Sequence, residues 1–87
     1  MASETIVVVD DEPVSLRLVA NALRSEGYTV HLSSTGEQAL MTLSTMRPDV
    51  MLVDMCLPGI NGLELTGRVR AQPSTKDVLV VALTAAT

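Results

Sequence analysis

Aromatic side chains are almost absent: among 87 residues there is one tyrosine, Tyr28, and neither phenylalanine nor tryptophan. A core must therefore be assembled from Val, Leu, Ile, Met and Ala, and no aromatic platform is available for stacking nucleic-acid bases. Cys56 is the single cysteine. It excludes an internal disulfide and fits a reducing compartment, the cytoplasm by default. The longest apolar run, Val78 to Leu83, is far short of the ~20 residues a membrane span requires. The opening residues carry acids and no cationic start, so no signal peptide is expected. Bases are also scarce, six against ten acids, and the net charge of −4 speaks against nucleic acid as the primary partner.

What is present is apolar content, 47% of the chain, enough for one small domain over residues 1–87 with no linker or repeat. Thr5 to Asp10 (TIVVVD) is β-branched and continuously apolar, as a parallel strand covered on both faces should be. From Pro13 to Glu26 the residues Leu16, Val19, Ala20 and Leu23 recur at helical spacing, with Gly27 as the stop. Tyr28 to Ser33 alternates and reads as an outer strand, and Thr35 to Met46 repeats the helical period before Pro48. Asp49 to Asp54 (DVMLVD) is a second apolar strand closed by an acid. The turn-rich "LPGING" follows, then a helix capped by Asn61 with Leu65 and Val69 turned inward. Beyond "AQPSTKD", Val78 to Leu83 reads as a fourth buried-type strand. The alternation βαβαβαβ predicts an α/β fold with a parallel sheet and right-handed crossovers.

Ligands of such sheets gather beyond the carboxyl ends of the strands. Those ends carry Asp10 and Asp11 after the first strand, Asp54 after the third and Thr84 after the fourth, all on one rim. The charge excess sits there too: ten acids less Asp10, Asp11, Glu12 and Asp54 leaves six, against six bases. Carboxylates brought together from different strands need a cation or a shared proton. An all-oxygen set suits Mg²⁺, Mn²⁺ or Ca²⁺, and Mg²⁺ best, since it binds through a few carboxylates and keeps its waters for phosphate oxygens. Taken singly, each residue has a plainer reading. Glu12 is helix-start charge with no assigned role, Cys56 a small buried hydrophobe, His31 an exposed or structural residue, and Met41, Met46, Met51 and Met55 core or edge filling.

The acidic pair after the first strand, "DMCLPGING" after the third and "LTA" after the fourth resemble, in type, order and spacing, the receiver domain of two-component response regulators. That family has the flavodoxin-like fold of the chemotaxis regulators. The resemblance runs from about Thr5 to Ala86 and implies strand order 2-1-3-4. It implies Asp54 as phosphoacceptor, with Asp10, Asp11, Asp54 and the backbone carbonyl of Cys56 as the Mg²⁺ set. It further implies Thr84 as the hydroxyl that bonds the phosphoryl group, Pro58 and Gly62 as loop-shaping residues, and a phosphohistidine on a kinase or phosphotransfer protein as donor.

The family continues past its fourth strand with a helix, a fifth strand and a final helix, whereas this sequence reads as a receiver truncated after strand four. The lysine that family members carry on the fifth strand has no counterpart: Lys76 precedes strand four, roughly 20 Å from the rim at ~3.3 Å per residue. The expected function is a phosphoacceptor module that assists its own phosphorylation and turns over no external substrate. The alternative is a receiver-derived binding module that dimerises or sequesters a kinase or regulator. Either way, strand four and its uncovered face are expected to mediate a homo-oligomer. A phosphatase with its nucleophile after strand one would need Asp-x-Asp, which "VVDDEP" does not supply.

Overall fold

The computed structural model describes residues 4–83. In chain order the elements are β1 (Thr5–Val9), α1 (Pro13–Ser25), β2 (Thr29–Ser33), α2 (Gly36–Leu43), β3 (Val50–Asp54), α3 (Gly62–Ala71) and β4 (Leu79–Leu83). The four strands form one parallel sheet in the order β2-β1-β3-β4. This is the order that the resemblance implies: β1 and β3 lie inside, and β2 and β4 lie at the edges.

Successive residues of β1 serve opposite faces, as strand geometry dictates. Ile6 and Val8 join Ala20 and Val30 beneath α1. Val7 and Val9 join Ala39, Met51, Val53, Leu65 and Val69 beneath α2 and α3. One helix thus covers one face and two cover the other.

The helix ends are set by local chemistry. Glu12 is the N-cap of α1, its carboxylate accepting from the Val14 N–H at 2.8 Å, and Pro13 occupies the first turn, where its missing donor is harmless. The acid left without a role on sequence grounds therefore starts the first helix. Thr35 caps α2 by accepting from the Gln38 N–H at 3.0 Å, and Asn61 caps α3 by accepting from the Glu64 N–H at 2.8 Å.

One expectation needs correction. α2 ends at Leu43 instead of running to Met46. The Ser44 and Thr45 hydroxyls donate to the carbonyls of Met41 and Thr42 at 2.6 and 3.0 Å, and such side-chain bonds compete with helix continuation. Strand four, of buried type by composition, is the uncovered edge expected of it: Leu79 is 58% and Val81 39% exposed, while Val78, buried, lies just outside it. α1 shelters β1 and β2 and does not extend over β4.

The α3–β4 connection is pinned by its own side chains. Thr75 Oγ1 donates to the Val69 carbonyl at 2.8 Å, and Arg70 Nη1 donates to the carbonyls of Lys76, at 2.8 Å, and Val78. Lys76 is thereby held at the amino end of β4, away from the carboxyl rim.

Candidate metal and phosphoacceptor site

Register builds the site. Val9 of β1 pairs with Val53 of β3, so the residues that follow, Asp10 and Asp54, leave neighbouring strands side by side. Asp11 is the next residue along the first of these chains. One carboxylate oxygen from each of Asp10, Asp11 and Asp54 lies within 4.8 Å of the others. Strand spacing in a sheet is about 4.8 Å, so the cluster follows directly from acids placed at matched strand ends.

Each acid is held differently. Asp10 is only 8% exposed; its N–H donates to the Ser33 carbonyl at 3.1 Å, and its Oδ1 accepts from the Glu12 N–H at 3.0 Å. Asp54, half-buried, accepts at Oδ1 from the Cys56 N–H at 2.9 Å. Asp11 is exposed. Burial raises the pKa of Asp10, against the pull of the Glu12 N–H, and the neighbouring charges of Asp54 and Asp11 raise it further, as does a hydrogen bond with the Asp54 side chain. Burial and the two neighbouring carboxylates thus favour the protonated form of Asp10 when no cation is present.

The donor set fits a hard divalent cation. It consists of oxygens from two strand ends, and no sulfur or imidazole joins the cluster. Cys56 is exposed, which corrects the buried-hydrophobe reading: it sits on the loop after β3 with its amide engaged by Asp54. His31 is exposed on β2, outside the cluster. Thr84 lies outside the described residues. Sequence reasoning missed Ser33, whose carbonyl brackets Asp10; the β1–β2 register that creates this contact is a long-range fact with no local signal.

A model of the response regulator receiver domain matches residues 6–87. The chain belongs to this family. The DNA-binding response regulator MtrA of Mycolicibacterium smegmatis is 38% identical over 93% of the chain, which spans 36% of MtrA. The receiver domain of a sensor histidine kinase from Pseudomonas aeruginosa, solved with a magnesium ion coordinated in its active-site cleft, is 38% identical with a TM-score of 0.91. It covers 97% of this chain, which spans 69% of it. The response regulator TrrA of Thermotoga maritima, solved in complex with Mg²⁺ and BeF, is 37% identical with a TM-score of 0.88, over 97% of this chain and 71% of TrrA. The chain thus spans about a third of the length of the curated relatives it matches. Its fold is that of a receiver, a phosphoacceptor signalling module. Among the described residues no helix is long and apolar enough to cross a membrane.

Proposed function

We propose that Asp54 accepts a phosphoryl group from a phosphohistidine on a kinase or phosphotransfer protein, in a step that depends on Mg²⁺ held by Asp10, Asp11 and Asp54. The observation that carries this reading is the convergence of the three carboxylates within 4.8 Å. A carboxylate oxygen of Asp54 forms the new O–P bond as the P–N bond of the donor breaks, and the electron pair returns to the imidazole, which takes up a proton. When bound, Mg²⁺ offsets the clustered negative charge and that of the phosphoryl oxygens.

The chain's own contribution is orientation. The Cys56 N–H fixes one oxygen of Asp54, leaving the other for attack. Asp10 is anchored by the Glu12 N–H and Asp11 stands at the solvent side. The Cys56 carbonyl completes the protein ligands in this reading and Thr84 supplies the hydroxyl toward the phosphoryl group. Mn²⁺ is a chemically reasonable substitute, and the cytoplasm is the compartment that fits a free thiol. No external substrate is turned over.

Incubation with acetyl phosphate and Mg²⁺, followed by intact-mass analysis, tests the proposal. One added phosphoryl group is expected, lost in Asp54→Asn and in EDTA; an adduct that survives both would overturn it. The exposed apolar edge of β4, Leu79 and Val81, favours a second reading: a module that pairs through that edge as a dimer or on a kinase or regulator. Partner binding that survives Asp54→Asn would support it.

A further inference from the structure

The loop after Asp54 is held between two places where a Cβ does not fit. On one side, a Cβ at Gly62 would lie 2.7 Å from the Met55 Cα and 2.8 Å from the Asp54 carbonyl oxygen, so the start of α3 closes directly on the end of β3. On the other side, a Cβ at Gly36, the first residue of α2, would lie 2.9 Å from the Ile60 carbonyl oxygen and 3.0 Å from the Ile60 Cβ. Non-bonded carbon contacts need about 3.5 Å, so one of the two backbones would have to move by roughly half an ångström.

α2 begins rigidly: Thr35 Oγ1 accepts from the Gln38 N–H, and Gln38 Oε1 accepts from the Ser34 N–H and hydroxyl at 2.7 and 3.2 Å. Within the loop, Leu57 and Ile60 are sunk in the core beneath α2 and α3. Gly59 takes a φ of 69, and the Glu37 carboxylate lies 3.1 Å from where its Cβ would be. Displacing Ile60 therefore carries the segment from Cys56 to Asn61 with it, including the amide that orients Asp54.

We propose that Gly36 is a positioning residue for Asp54: bare backbone at the start of α2 sets the height of the loop whose Cys56 amide aims the phosphoacceptor. The proposal rests on Asp54 being the phosphoacceptor, and it places a determinant of reactivity on an element that touches neither metal nor phosphate.

The test uses the 87-residue chain carrying Gly36→Ala, with Gly67→Ala as control, since Gly67 is exposed on α3 and a Cβ there meets nothing within 4 Å. In Gly36→Ala the rate of phosphorylation by acetyl phosphate at saturating Mg²⁺ falls about tenfold, the scale of loss for a reacting group displaced by less than 1 Å. Amide NMR resonances of Asp54 and Cys56 shift while those of α1 stay in place. Gly67→Ala changes neither. A folded Gly36→Ala with unshifted Asp54 and Cys56 amides and a rate within about twofold of wild type would refute the proposal. Should Gly36→Ala not fold, Mg²⁺ titration of the wild-type chain decides: coupling moves the Gly36 amide together with that of Cys56, and a still Gly36 overturns it. Failure of the wild-type chain to take up phosphate would sink the functional reading alone, because the amide shifts judge the positioning role independently.

Discussion

Asp10→Asn should stabilise the metal-free protein. The substitution preserves shape and keeps an Oδ1 that can accept from the Glu12 N–H at 3.0 Å, while removing one of three negative charges whose oxygens lie within 4.8 Å. Two unit charges at that distance repel by about 1 kcal/mol in water and about 3.5 kcal/mol at an effective dielectric of about 20. Asp11 is exposed, so its pair with Asp10 falls near the lower value; Asp54 is half-buried and lies between the two. A gain of about 1–3 kcal/mol at pH 7 follows, and each 1 kcal/mol raises Tm by roughly 4–8 °C in a domain of this size.

The pH dependence has a definite sign. Asp10 binds its proton more tightly when folded, because burial and the neighbouring acids raise its pKa. Between the ordinary aspartate pKa and the raised one the native state holds more protons than the unfolded chain, so wild-type stability from this group falls as pH rises through that window. Asp10→Asn lacks the fall, and the two proteins converge below about pH 4. Thermal melts monitored by circular dichroism, with and without Mg²⁺, measure all of this. Mg²⁺ raises the wild-type Tm, increasingly so as Asp10 deprotonates, and raises that of Asp10→Asn far less. An Asp10→Asn that melts at or below wild type at pH 7 without metal, or that gains as much from Mg²⁺, would refute the reasoning.

Three further substitutions probe the frame around the site. Ser33 is 1% exposed and its Oγ has no hydrogen-bond partner among the described residues, so Ser33→Ala should add about 1 kcal/mol in urea melts by removing an unsatisfied hydroxyl. A loss of stability would mean that the hydroxyl is satisfied in solution. Glu12→Ala removes the α1 cap and should cost about 1 kcal/mol; equal midpoints for the two proteins would show that the bond to the Val14 N–H contributes nothing. Gly67→Ala, in the open interior of α3, should raise the urea midpoint by the equivalent of about 0.5–1 kcal/mol, and a lower midpoint would mean that α3 is packed more tightly on that side.

The site was largely legible before any coordinates because its acids sit at the ends of continuous apolar runs. In a parallel sheet those ends share one rim, so Asp10, Asp11 and Asp54 could be grouped from spacing alone. The edge position of β2 and the stop at Gly27 were legible for similar reasons of local pattern. Less visible was anything set by what packs on what. VLVVAL has the composition of a buried strand and its uncovered face was expected, but how far Leu79 and Val81 stand in solvent is set by the reach of α1. Cys56 has the composition of a core residue and is exposed, on the loop after β3 with its amide bonded to Asp54.

The sequence by itself determined the elements, their alternation and the chemistry of the rim, since these follow from periodicity, β-branching, caps and the charge excess carried by four residues. Only the tertiary structure decided the pairing of Val9 with Val53 that sets Asp10 beside Asp54, the Ser33 carbonyl behind Asp10, and the contact of Gly36 on Ile60. Each of these joins residues distant along the chain, and such distances are fixed by strand register and helix packing, which no local stretch of sequence encodes.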